Sequence, residues 1–144
     1  IRSLLLKDGA LEAFNLKLQK KYKEIQEKEQ RWEALCLEDA NIIVVAYGGM
    51  ARIAKSVVRQ LRQKHKKVGL IRPISLWPFP VNAFAKFARA KVKYLVVEMS
   101  YGQMVEDVKL AVNCAAPVGF FGRAGGGIPT EEEIIAAIKK LEKK

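Results

Sequence analysis

Four short apolar runs constrain this chain more than any other feature. Ile42 to Tyr47, Val68 to Arg72, Tyr94 to Glu98 and Val118 to Phe121 are rich in β-branched or aromatic residues, with no polar residue at every second place. A strand with one wet face alternates; a strand covered on both faces does not, and that is the habit of parallel sheets. Each run leads through a turn into a stretch with helical periodicity, near Met50 to Lys64, Val81 to Ala90, Gln103 to Asn113 and Glu131 to Lys143. Strands alternating with helices predict an α/β domain: a three-layer αβα sandwich on a mostly parallel sheet of four to five strands.

Before these units lies a different kind of segment. Leu11, Phe14, Leu18, Tyr22 and Ile25 fall on one helical face, with Lys, Glu and Gln around the rest, which predicts an amphipathic connecting helix. Trp32 to Leu37 is ambiguous and reads as a short edge strand. The organisation expected is therefore residues 1–38 as linker helix and possible antiparallel edge strand, and residues 39–144 as the α/β domain. At 144 residues, half of them hydrophobic, one core is expected. The chain opens on Ile1 without the pattern of a secretory signal and reads as an internal piece of something longer. No apolar run approaches the roughly 18 residues of a membrane span. Cys36 and Cys114, far apart and in no metal-ligand spacing, are expected to be reduced core thiols of a cytoplasmic protein.

The net charge of +11 admits an anionic partner without selecting one. Lys17 to Lys23, Arg59 to Lys67 and Lys139 to Lys144 sit on or beside helices, read as solvated faces, and lack interleaved aromatics, so no specific nucleic acid is expected. The single histidine, His65, lies inside one of these basic runs and is a poor base, because neighbouring cations disfavour its charged form.

Chemistry in such folds sits beyond the carboxyl ends of the strands. Gly48 and Gly49 open a helix there but complete no dinucleotide fingerprint. Glu98, Ser100, Tyr101 and Gly102 follow the third run with no base to activate a nucleophile. Thr130 and Glu133 form a capping box after Gly125, Gly126 and Gly127, so carboxylates already occupy that helix end. No catalytic and no metal-ligating residue is expected. The crevice of Gly48, Gly49, Tyr101 and Gly102 remains a weak candidate for a small ligand or nucleotide. The stretch Arg72 to Pro80 is the most distinctive: Pro73, Pro78 and Pro80 stiffen a loop that carries Trp77 and Phe79, suited either to contact with another domain or to folding back on its own core.

In order, the glycine turn, Gly69 to Pro80 (GLIRPISLWPFP), Val96 to Lys109 (VVEMSYGQMVEDVK) and Phe120 to Thr130 (FFGRAGGGIPT) resemble the C-terminal domain of the alpha subunit of 2-oxoacid:ferredoxin oxidoreductases, of the 2-ketoisovalerate and 2-oxoglutarate types above all. The resemblance runs from about Ala10 onward and departs at Gly49, Ser100 and Ala124. It implies a transketolase C-terminal-like fold with five strands, the first antiparallel. It implies an enzyme of the EC 1.2.7 type that decarboxylates a 2-oxoacid on thiamine diphosphate with Mg2+, passes electrons through iron–sulfur clusters to ferredoxin and forms acyl-CoA. It also implies that other domains and subunits hold those cofactors, leaving this domain as scaffold, with Arg72, Trp77, Phe79, Tyr101 and Arg123 as interface residues.

Overall fold

The computed structural model describes residues 4–87 and 91–143. Helix α1 (Ala10–Lys28) leads into strand β1 (Trp32–Leu35), followed by β2 (Ile42–Val45), α2 (Gly48–Gln63), β3 (Val68–Pro73), the short α3 (Asn82–Ala85), β4 (Lys93–Glu98), α4 (Met104–Val112), β5 (Val118–Gly122) and α5 (Glu131–Glu142). The sheet order is β1-β3-β2-β4-β5. β2, β3, β4 and β5 run parallel, and β1 joins β3 antiparallel, with Glu33 opposite Arg72. The ambiguous segment at Trp32 is thus a strand, two residues shorter than expected, and on the sheet edge.

The unbroken apolar runs are explained by two cores. Ile43 and Val45 point into one with Ile71, Phe84, Tyr94, Val96, Val105 and Val108. Ile42 and Val44 point into the other with Val57, Val58, Leu70, Leu95, Val97, Ile134 and Ile138. Period-two alternation therefore survives, not as apolar against polar but as one core against the other. α3 and α4 cover the first face, α2 and α5 the second, which makes the three-layer sandwich.

Three expectations need correction. Cys36 and Cys114 are free but exposed, because both occupy left-handed turn positions, at φ 54° and 58°, where a chain reverses at the surface. The helix expected over Val81 to Ala90 is helical only over Asn82–Ala85, and residues 88–90 lie outside the described residues. Within the basic run, Arg62 is not merely solvated. Its guanidinium donates to the Val68 carbonyl (2.6 Å), the Cys36 carbonyl (2.6 Å) and Asp39 Oδ1 (2.7 Å), tying the end of α2 to the β1–β2 link and the start of β3. The hydrogen bond from Arg62 holds the Asp39 carboxyl below the usual range.

The chain leaving the end of β1 can pass β3 this closely only because position 69 has no side chain. A Cβ there would lie 2.7 Å from the Cys36 carbonyl oxygen and 3.1 Å from that of Leu35, and backbone cannot step aside cheaply. Gly69→Ala is expected to lower stability by about 1–3 kcal/mol, an overpacking cost read from the urea midpoint.

Candidate functional site: the carboxyl edge of the sheet

Because β2 to β5 are parallel, their carboxyl ends lie along one edge, and the loops that follow them share that edge. The strand order reverses direction between β2 and β4, so α2, which starts at Gly48 after β2, and α4, which starts after β4, lie on opposite faces. This is the switch point of the sheet.

Glu98, at the tip of β4, is completely buried. Its carboxylate accepts hydrogen bonds from Ser100 Oγ (3.0 Å) and from the backbone N–H groups of Gln103 (3.2 Å), Met104 (3.0 Å) and Val105 (3.0 Å). Ser100 Oγ in turn accepts from the Gly102 N–H at 3.1 Å. Helix starts leave N–H groups without partners, and here one side chain from the preceding strand satisfies the first turn of α4. Burying a carboxylate costs several kcal/mol, whereas each hydrogen bond to a charged group returns about 1.5–3 kcal/mol. Four together favour the buried arrangement. The same bonds settle what the third joint can do: the positive end of α4 already faces a carboxylate, so a second anion at Gly102 would meet like charge. Gly102 has φ 108° and packs with Val105 and the Phe120 ring, while Gly122 passes so close under the Ser100 carbonyl and Phe120 that no side chain fits. The loop is dense and pinned, and its outermost side chain, Tyr101, is 88% exposed.

The proline loop after β3 is pinned by a comparable device. Ser75 Oγ donates to the Pro78 carbonyl (2.8 Å) and accepts from the Arg31 N–H (3.0 Å), and the Arg31 carbonyl accepts from the Ile74 N–H (2.9 Å). The two roles weighed for this loop divide by residue. Phe79 turns inward and stacks on Phe84 at 5.5 Å. Trp77 stays 57% exposed and meets Tyr22 of α1 edge-on at 5.5 Å. Arg72 Nη1 donates to Glu33 at 3.2 Å, and Arg123 Nη1 donates to the Ile128 carbonyl and to Glu133, all at 3.3 Å, bracing the glycine loop against the capping box of α5.

At the first joint, Gly48 adopts φ 55°, and neither Gly48 nor Gly49 has a neighbour where a side chain would stand. No side chain caps α2 and no acid lies in its first turn. His65 lies beyond the other end of α2, exposed and at φ 58°, so the carboxyl edge has no histidine. Sequence reasoning placed Glu98 at a strand end without a catalytic partner but gave neither the number nor the direction of its bonds, and it missed Ser75. The available signals were Glu98 six residues before the buried Met104, and a serine among prolines.

Residues 40–134 match the family model for pyruvate:ferredoxin oxidoreductase core domain II. The chain belongs to that family. The domain is 41% identical over 141 residues to the ketoisovalerate oxidoreductase subunit VorB of Methanothermobacter marburgensis, covering 98% of this chain and 40% of that protein. It is 37% identical over 108 residues to the 2-oxoglutarate synthase subunit KorA of Methanocaldococcus jannaschii, covering 75% and 29%. Among solved structures, the 2-oxoglutarate:ferredoxin oxidoreductase from Magnetococcus marinus superposes with TM-score 0.77 at 21% identity, over 94% of this chain and 24% of that one. A split-gene transketolase superposes with TM-score 0.60 over 76% of this chain. The core domain II chain thus spans well under half the length of the curated relatives it matches, and the transketolase-like fold with an antiparallel first strand agrees with the sequence reading.

Two expectations follow. Glu98→Gln replaces an acceptor oxygen with an NH2 group aimed at N–H donors. It should cost about 1–3 kcal/mol and speed amide exchange at Gln103 to Val105. Asp107 has its carboxyl raised above the usual value, by partial burial first and then by the negative charges of Glu98 and Glu106. A folded group that holds its proton more tightly than the unfolded chain does gives stability at acid pH that is lost as pH rises from the ordinary carboxylate range through the raised value. Asp107→Asn should therefore be more stable than the parent above that window and equal to it below, as thermal melts across pH would record.

Proposed function

We propose that this chain is the scaffold and subunit-interface domain of a thiamine diphosphate-dependent 2-oxoacid:ferredoxin oxidoreductase, with no complete active site of its own. The whole enzyme would decarboxylate a 2-oxoacid, pass electrons through iron–sulfur clusters to ferredoxin and release acyl-CoA, in the cytoplasm. Residues 1–38 would link to a neighbouring domain and add the edge strand, and residues 39–144 would form the docking unit. The observation that carries this reading is the pairing of exposed aromatics with satisfied loops: Tyr101 and Trp77 stand out from segments whose own polar groups are already bonded within the domain. A rigid aromatic anchor loses little entropy on docking, which suits an interface.

Arg72, Trp77, Tyr101 and Arg123 lie on the loops or strand ends of that edge, with Phe79 backing Trp77 from the core, and together they form the proposed contact set. Each arginine has guanidinium N–H groups beyond its intramolecular bonds to offer a carbonyl or carboxylate. The names of the relatives, subunits of ketoisovalerate and 2-oxoglutarate oxidoreductases, support this assignment. The residues of this chain do not fit an iron–sulfur cluster or a Mg2+-diphosphate site. Cys36 and Cys114 occur singly at surface turns, and among the described residues no three His, Cys, Asp or Glu side chains group as metal ligands. On this reading the iron–sulfur clusters, and the Mg2+ that accompanies thiamine diphosphate, are held by other parts of the assembly, and CoA is bound by the assembled enzyme. No described helix is long and apolar enough to cross a membrane.

Trp77→Ala in the complete oxidoreductase should reduce assembly, seen as dissociation at lower protein dilution, and reduce turnover with it. The isolated chain carrying the same change should unfold as the parent does. Unchanged assembly and turnover would remove the interface assignment.

A further inference from the structure

The two edges of the sheet are protected very differently. β1 is only four residues long and carries a charge within the strand, Glu33, bridged to Arg72 across the strand pair. β5 reads Val118, Gly119, Phe120, Phe121, Gly122, without a charge or a proline and, among the described residues, without a strand on its outer side. Natural edges are guarded by charge, proline or cover, because a bare edge pairs with whatever strand it meets. Beside β5 runs an open groove of about 420 Å³, lined by Gly119, Phe120, Phe121, Ala136 and Leu141 and bounded on α5 by Glu133 and Lys140.

The hydrogen bonding of β5 specifies what the bare edge offers. The Pro117 carbonyl accepts from the Tyr94 N–H, and the Arg123 N–H donates to the Glu98 carbonyl. Odd-numbered positions therefore turn their backbone groups towards β4, and Val118, Phe120 and Gly122 turn theirs outward. An antiparallel partner centred on Phe120 would place Phe120 opposite its own copy and Val118 opposite Gly122, so every outward N–H and C=O would find a partner. On the α5 face, Gly119 of one copy would lie opposite Phe121 of the other, small against large.

Charge adds a second and independent match. α5 covers the sheet beside this edge, with Glu131, Glu132 and Glu133 in its first turn and Lys139 and Lys140 in its last. A two-fold axis through Phe120 sets the two α5 helices side by side and antiparallel on one face of a joined sheet. The acidic end of each then meets the basic end of the other. We propose that β5 is a self-association edge, and that two copies of this chain pair antiparallel about Phe120 into one continuous ten-stranded sheet. A strand of unrelated sequence could use the backbone edge, but only a second copy supplies both the Gly119–Phe121 fit and the reversed α5 charges. This surface lies along the outer side of β5, where the Phe120 ring also backs the Gly102 loop, and the pairing does not depend on the function proposed for the carboxyl edge.

Analytical ultracentrifugation of the 144-residue chain at micromolar to near-millimolar concentration is the direct measurement. A species of twice 16.2 kDa is expected, and Phe120→Lys, which sets two ammonium groups side by side at the axis, should return it to 16.2 kDa with an unchanged circular dichroism spectrum. Lys140→Glu should also weaken the dimer, and adding Glu132→Lys to it should restore the mass. As a check that needs no loss of function, Phe120→Cys with Cys36 and Cys114 replaced by Ser should oxidise to a disulfide-linked dimer, since directly opposed Cα atoms in such a pair lie about 5.5 Å apart. A chain that stays at 16.2 kDa throughout, a dimer indifferent to Phe120→Lys and Lys140→Glu, or a Phe120→Cys chain that fails to cross-link would each overturn the proposal.

Discussion

The carboxyl edge of this domain depends on one buried side chain. Glu98 ends β4, and its four hydrogen bonds begin α4, so a single carboxylate joins strand, loop and helix at the switch point of the sheet. It does so where an unpaired charge would cost several kcal/mol, and the arrangement therefore tolerates little slack. The loop it closes holds Tyr101 clear of the domain. The same bonds occupy the anion-attracting end of α4, so the property that makes the edge rigid is also what withdraws this joint from phosphate chemistry.

A comparable logic operates wherever the chain turns. Ser75 stitches the proline loop to Arg31, Arg62 gathers three segments beneath the sheet, and Thr130 and Glu133 close the start of α5. In each case a polar side chain satisfies backbone groups that the adjoining element leaves open, and the loop becomes a fixed surface in place of a mobile one. What remains outside these stitches is apolar and exposed: Trp77 and Tyr101 on the carboxyl edge, Phe120 on the open strand, and Leu11 and Phe14 on α1, which buries no residue in this domain. The 19-residue helix therefore carries an apolar stripe that this domain leaves uncovered.

Except for the helix expected over Val81 to Ala90, the helices and the four parallel strands were legible in the sequence because their signals are local. Ile42 to Val45 can be recognised as a doubly covered strand from four residues, and the capping box at Thr130 from another four. Trp32 to Leu35 was ambiguous because its strand character comes from pairing with β3, a contact that no local pattern records. The cysteines were misplaced for a related reason: a small apolar residue is usually buried, but both stand at left-handed turn positions that composition does not reveal.

Sequence alone determined the two-faced apolar runs and the helical periods between them, and with these the fold class. Those properties follow from side-chain type and spacing, which are carried by neighbouring residues. Only the tertiary structure decided that Arg62 is a clamp and not a solvated charge, that Phe79 turns in while Trp77 stays out, and that Glu98 spends its carboxylate on its own loop. Each of those outcomes depends on which groups from distant segments arrive within about 3 Å of one another, where hydrogen bonds form, and that distance is a property of the packed sheet rather than of any stretch of chain.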